Sequence, residues 1–181
     1  MRMKLILAAL AVTASVPATA QLAPGKVAPD FTTQGALAGK EFRLNLKQQL
    51  KKGRTLVLYF YPMSFTPGCS AEAQAFAAAT PAFRKAGAIV IGMAADPIDK
   101  LKEFSTKDCA SKFAVAQATP AIIDGYDVAL TRNGAKTAMT SRTSYVIAPD
   151  GKVLYAHSEM SPANHVKNTL AAAQAYKTRK R

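Results

Sequence analysis

Residues 54–72 read RTLVLYFYPMSFTPGCSAE, from Arg54 to Glu72. The run from Arg54 to Tyr61 is almost continuously apolar and rich in aromatic and branched side chains. It reads as a strand buried on both faces, the kind found in the middle of an α/β sheet. Pro62, Pro67 and Gly68 then punctuate a loop. From about Cys69 to Lys85 the residues Ala73, Phe76, Ala77, Thr80 and Phe83 recur at helical spacing. Pro81 is expected to kink or interrupt that helix, and Gly87, after Arg84 and Lys85, to end it. A strand, a tight loop and a helix in this order put one of only two cysteines at a strand's carboxyl end, where binding sites of α/β sheets collect.

Outward from this stretch, Phe42–Leu46 alternates apolar and polar residues as a half-buried strand does, and Ala88–Met93 reads as the next inner strand. A second helix is expected from Pro97 to about Lys107, capped by Asp96, with Ile98, Leu101 and Phe104 or Ser105 on its inner stripe. Phe113–Ala116 is a short apolar run of uncertain type. Residues 119–141 carry little pattern beyond the turn signals Asp124-Gly125 and Asn133-Gly134. Thr143–Ala148 and Lys152–His157 flank Pro149-Asp150-Gly151 as a hairpin. A last helix is expected from Pro162 to about Tyr176, with Val166, Leu170 and Ala173 facing inward. This order of elements predicts an α/β fold with a central mixed β-sheet flanked by helices on both faces.

The chain begins MRMKLILAALAVTASVPATA. Arg2 and Lys4 precede an apolar stretch, and Ala18-Thr19-Ala20 supplies small residues before Gln21. That is the layout of a secretory signal peptide over residues 1–20, too short for a membrane span. Residues 21–181 then suit one soluble domain. Export, into a bacterial periplasm, is the expected location, and no stable membrane insertion is expected. Loss of Arg2 and Lys4 with the leader takes the formal net charge from +13 to +11. The basic stretches Lys51–Arg54 and Lys177–Arg181 are read as solvated surface, with no nucleic-acid partner, since exported proteins rarely meet one. His157 and His165 form no metal-ligand spacing with a second donor and are read as surface residues. Arg132 is a further cation without an assigned role. In an oxidising compartment the default for Cys69 and Cys109 is a structural disulfide.

The position of Cys69 argues for chemistry instead. In the first turn of a helix, unpaired backbone N–H groups and the helix dipole favour an anion. The thiolate is the nucleophilic form of cysteine, and a nearby cation favours it further. Thr66, three residues earlier, is placed to put a hydroxyl on the same side of the turn, where it can donate or accept; capping the helix would explain it equally well.

Pro62-x-x-x-Thr66-x-x-Cys69, with Val57–Tyr61 before it and Glu72 after it, resembles the active-site motif of the peroxiredoxins, thiol peroxidases on a thioredoxin-like fold. Ala28-Pro29-Asp30-Phe31 resembles that family's amino-terminal signature. Arg142–Ile147 followed by Pro149–Val153 resembles its arginine, strand and turn. The likeness spans residues 26–175 and is greatest to the bacterioferritin-comigratory, or Q-type, branch. It implies that Cys69 attacks a peroxide oxygen and becomes a sulfenic acid. It implies that Arg142 stabilises the thiolate and the peroxide oxygens, Thr66 orients the peroxide, Pro62 shields the pocket and Glu72 fixes the arginine. It implies hydrogen peroxide or an organic hydroperoxide as substrate, a thioredoxin-like or other thiol as reductant, no metal, flavin or haem, and a monomer or weak homodimer.

Q-type relatives often resolve the sulfenic acid with a cysteine five residues on, where this chain has Gln74. Others resolve from the next helix, the neighbourhood of Cys109, so an internal Cys69–Cys109 disulfide is expected; without it, an external thiol would resolve. Two other functions remain open on sequence. A thiol–disulfide oxidoreductase of the same fold would want Cys-x-x-Cys, but Thr66 stands where the first cysteine would be. A non-catalytic binding module would use a disulfide only for stability.

Overall fold

The computed structural model describes residues 21–179, so the expected leader and the last two residues of the basic tail lie outside the described residues. In chain order the elements are β1 (Thr32–Leu37), β2 (Lys40–Asn45), α1 (Leu46–Leu50), β3 (Thr55–Phe60), α2 (Pro67–Lys85), β4 (Ala88–Ala94) and α3 (Ile98–Thr106). There follow β5 (Ala114–Gln117), α4 (Pro120–Gly125), β6 (Ala129–Arg132), β7 (Ala135–Thr140), β8 (Thr143–Ile147), β9 (Val153–Ser158) and α5 (His165–Arg179). Seven strands form one sheet in the order β2-β1-β5-β4-β3-β8-β9, and β6 pairs only with β7. β3 is parallel to β4 and β4 to β5, while β8 runs antiparallel to β3 and β9, which makes the sheet mixed as expected.

Every residue of β3 is buried because the strand is covered twice. Val57, Tyr59 and the following Tyr61 enter a core with Phe76 and Phe83 of α2, Leu101 and Phe104 of α3 and Ala173 of α5. Leu56, Leu58 and Phe60 enter the opposite core with Leu46 and Leu50 of α1, Ile122 and Ile123 of α4, and Tyr145 and Ile147 of β8. Successive side chains of a strand point to opposite faces, so two apolar cores demand the unbroken apolar run seen in the sequence. Gly92 of β4 is required at its position: a Cβ there would lie 2.9 Å from the ring of Tyr59. That ring stacks on Phe76, with centroids 4.3 Å apart.

Several sequence expectations need correction. Pro81 does not interrupt α2, which continues through it for 19 residues with Pro81 on the exposed side. Asp96 does not cap α3, whose N-cap is Pro97 without a side-chain bond; Asp96 is used elsewhere, as described below. Asp124-Gly125 is the end of α4 rather than a free turn, whereas Asn133-Gly134, with φ of 50° and 78°, makes the tight β6–β7 turn that its sequence signals. The uncertain run at Phe113–Ala116 contributes β5. The last helix starts at His165, and its buried residues are His165, Thr169 and Ala173, with Val166 and Leu170 only partly buried. His165 is therefore not a surface residue.

Candidate active site

The site is built at the carboxyl end of β3, where the chain leaves the sheet and must turn into α2. The Tyr61 N–H bonds to Met93 O, and the Tyr61 carbonyl accepts from the Thr140 hydroxyl at 2.6 Å, so the strand's exit is fixed on both sides. The Tyr61 hydroxyl pairs with Ser64 Oγ at 3.1 Å, and the Ser64 N–H donates to Asp96 Oδ2 at 2.7 Å. Asp96 Oδ1 holds Lys100 at 2.8 Å. The acid expected to cap α3 thus ties the Pro62–Thr66 loop to the end of β4. Phe65 sits at φ 67°, a left-handed conformation that costs a non-glycine residue roughly 1–2 kcal/mol, and packs edge-on against Phe104 with centroids 5.2 Å apart. Pro62 and Thr66 are half-buried at the rim of this loop.

Thr66 is the N-cap of α2 but makes no side-chain cap bond; its hydroxyl donates to Met63 O at 3.0 Å. With its proton committed there, the oxygen faces any ligand as an acceptor. Pro67 occupies the first helical position, where a missing N–H costs nothing. The first bond of the helical ladder runs from Ser70 N–H to Thr66 O at 2.8 Å, so the Gly68 and Cys69 N–H groups precede the ladder at the positive end of the helix.

Cys69 is 2% exposed, and Arg142 is 4% exposed directly against it. The guanidinium serves three acceptors. Nη2 donates to Cys69 Sγ at 3.4 Å, Nη1 to Glu72 Oε2, and Nε to Met160 O at 2.9 Å. Gly68 lies against this contact, and a Cβ there would sit 3.4 Å from Nη2, at ordinary contact distance. Glu72, three residues after Cys69 on the same face of α2, is 1% exposed. Burial raises its carboxyl from about 4.5 to about 7, against the downward pull of Arg142.

Cys109 lies in the turn after α3, fully buried, and both cysteines are free thiols within one apolar core. Burial, reinforced by the charge of Asp108, pushes the Cys109 thiol well up. Asp108 anchors that turn to α2: Ser70 Oγ donates to Oδ2 at 3.0 Å and Gln74 Nε2 to Oδ1 at 3.2 Å. The side chains next to Cys69 and at the fifth position after it therefore hold the Cys109 turn in place. Arg132, exposed at the end of β6, takes no part.

Of the sequence-derived residues, the structure gathers Cys69, Glu72 and Arg142 into direct contact and puts Thr66 and Pro62 on the loop before them. It adds Ser64, Asp96, Asp108 and the buried pair Ser144 and His165, none of which the sequence reading placed here. The 165, 169, 173 spacing was a legible signal for His165, obscured because His and Thr do not announce an inner stripe.

This geometry, a buried thiol at a helix start facing a guanidinium, suits nucleophilic cysteine chemistry. The AhpC/TSA family model matches residues 24–156. Peroxiredoxin Bcp of Xanthomonas campestris pv. campestris is 32% identical over 126 residues, which cover 68% of this chain and 79% of that protein. Peroxiredoxin Bcp of Bacillus subtilis is 28% identical over 148 residues, 81% of this chain and 91% of that one. Peroxidoxin BcpB from Mycobacterium tuberculosis superposes with a TM-score of 0.73 at 27% identity, covering 84% of this chain and 96% of its own. A structure of Xanthomonas campestris bacterioferritin comigratory protein, studied for alkyl peroxide reduction, gives 0.69 at 29% identity, covering 80% and 91%. The chain belongs to the AhpC/TSA family, in its Bcp or Q-type peroxiredoxin branch. It has the thioredoxin-like fold of these structures, and its class of activity is that of a thiol-dependent peroxidase.

Proposed function

We propose that this peroxidase works on hydrogen peroxide and organic hydroperoxides through Cys69. The observation that carries the reading is the Arg142 Nη2 contact to Cys69 Sγ at 3.4 Å in the first turn of α2. The sulfur of the thiolate attacks the distal peroxide oxygen, the O–O bond breaks and the S–O bond forms. Cys69 becomes a sulfenic acid, oxidised by two electrons, while the peroxide is reduced and leaves as water or an alcohol once protonated. Arg142 stabilises negative charge on sulfur before the attack and on the parting oxygens during it, from a position that needs no rearrangement. Glu72 and Met160 O hold the guanidinium in that position. The Thr66 oxygen accepts the O–H of the bound peroxide, and Pro62 shields the sulfenic acid.

Cys109 is then the resolving residue: its sulfur attacks the Cys69 sulfenic sulfur, water leaves and a disulfide forms. A dithiol of the thioredoxin type supplies the two electrons that return both thiols. Residues 1–20 direct the chain to the periplasm, and the mature protein is a monomer or weak homodimer. Amino-terminal sequencing of the secreted form, starting at Gln21, checks the first point, and sedimentation the second.

Stopped-flow mixing of the reduced protein with hydrogen peroxide tests the central reading. The wild type consumes about one equivalent without added disulfide, and Cys69→Ser consumes none. Consumption by Cys69→Ser at the wild-type rate would move the chemistry to another residue.

A further inference from the structure

Two polar side chains, Ser144 of β8 and His165 of α5, are fully buried behind the Arg142–Glu72 pair and take no part in the steps above. The His165 ring is fixed at both nitrogens. Nε2 lies 2.8 Å from Glu159 O and Nδ1 lies 2.8 Å from Ser144 Oγ. A carbonyl oxygen only accepts, so Nε2 carries the proton of the neutral ring, and Nδ1 is a lone pair that accepts from the Ser144 hydroxyl. Glu72 uses Oε2 for Arg142. Its Oε1 is buried, has no hydrogen-bond partner among the described residues, and lies 3.9 Å from His165 Nδ1.

An ionised Oε1 would thus face a ring nitrogen that has no proton to offer it. A buried charged oxygen left unpaired is costly, and a proton on Glu72 removes the conflict. The surroundings agree. Burial lowers His165 to about 4, with the positive charge of Arg142 acting in the same direction and the hydrogen bond to the Glu159 carbonyl opposing it. The other groups facing the pair are the His157 ring, 4.7 Å from that of His165, the Glu159 carboxylate beside His157, and the buried Tyr59 phenol near Glu72 and Cys69. Arg142 has one charge, and both Glu72 and the Cys69 sulfur draw on it.

We propose that His165 is a positioning residue of the peroxidase: by facing Glu72 Oε1 with a ring nitrogen that has no proton to donate, it favours the neutral acid and leaves the charge of Arg142 to the Cys69 sulfur. The balance is one proton. Cys69 thiol and Glu72 carboxylate become Cys69 thiolate and Glu72 carboxylic acid, and the buried cluster keeps the same net charge beside Arg142. The inference rests on Cys69 being the residue that meets the peroxide.

The test follows the second-order rate of peroxide consumption by the full reduced protein over roughly pH 5 to 9, with folding checked by circular dichroism. His165→Asn brings an amide N–H that can donate to Oε1 and stabilise the carboxylate, so the pH midpoint of the rate moves up by about one unit. Ser144→Ala leaves Nδ1 free to accept the Glu72 proton, so the midpoint moves down; this small substitution carries the test if the His165 variant does not fold. In a Glu72→Gln background, His165→Asn adds no further shift. A role confined to packing would change stability or the plateau rate and leave the midpoint in place. Midpoints within about 0.2 unit of wild type in the folded single variants, or a shift that survives in Glu72→Gln, overturn the proposal. Active Cys69→Ser would sink the reading beneath it instead, so the two failures are distinct.

Discussion

Arg142 joins the parts of the site in one side chain, since its planar fork meets a sulfur, a carboxylate and a backbone carbonyl at once. Lysine keeps the charge but cannot hold three directions. Arg142→Lys should therefore fold normally and lose roughly 10²–10³ in the rate of peroxide consumption, the usual effect of removing a fixed donor from a developing charge. A rate within about threefold of wild type would mean that charge alone suffices. His165 makes a stability prediction of its own. Its folded value, about 4, lies below the ordinary 6.5, so the unfolded chain takes up a proton first as pH falls. The stability it contributes is complete above about 6.5 and is lost as pH falls toward 4. Glu72 has the opposite sign: raised to about 7, it contributes most below about 4.5 and loses that contribution as pH rises through 7. Comparing Glu72→Gln with Glu72→Gln/His165→Asn, in which position 72 no longer titrates, isolates the first effect. Their difference in unfolding free energy should shrink by about 1–3 kcal/mol between pH 7 and pH 4 in urea titrations.

At the scale of elements, α2 places Cys69 in its first turn and Glu72 one turn later, so its continuity matters to the site. Pro81 removes one ladder bond yet leaves the helix intact, because α2 is held by Ala73, Phe76, Ala77 and Phe83 in the core. Intrinsic propensity is the weaker force here. Pro81→Ala should restore the bond to Ala77 O and raise stability by roughly 1–3 kcal/mol, part of the gain being offset by a freer unfolded chain. A drop in the denaturation midpoint would show that the helix needs its proline. The β3–β4 pair is sensitive in the other direction. Gly92→Ala sets a methyl against the Tyr59 ring and should cost about 1–3 kcal/mol, visible as a lower melting temperature. An unchanged melting temperature would mean that the Tyr59–Phe76 stack shifts freely.

At the scale of the molecule, one sheet separates two cores, and the site draws on only one of them. α2, α3 and α5 cover the face that holds Cys69, Cys109 and His165. α1 and α4 cover the other. The proposed resolution by Cys109 would take place within a single packed layer, where Asp108 fastens the Cys109 turn to Ser70 and Gln74. Cys109→Ser should react with the first equivalent of peroxide at the wild-type rate but form no internal disulfide. Intact-mass measurement would then find a sulfenic acid or its further oxidation products on Cys69. The same internal disulfide mass in that variant would exclude Cys109 as the partner.

The sequence by itself determined the central strand, the loop and helix after it and the β8–β9 hairpin, and it pointed to Cys69, Glu72 and Arg142 only through a family resemblance. The elements are written locally, as a double-sided apolar run, helical spacing and turn residues. It did not determine β1, where Thr32, Thr33, Gln34 and Gly35 give no apolar alternation and burial comes from pairing with β2 and β5. Nor did it determine the α4–β7 segment, whose short elements are fixed by what they pack on. The use of Asp96 as a loop anchor and of His165 as a buried neighbour of Glu72 belonged to the tertiary structure alone. A carboxylate or an imidazole has the same local pattern on a surface as in a core, and only the groups brought to it from distant parts of the chain decide whether it is solvated, paired or left with a bare lone pair.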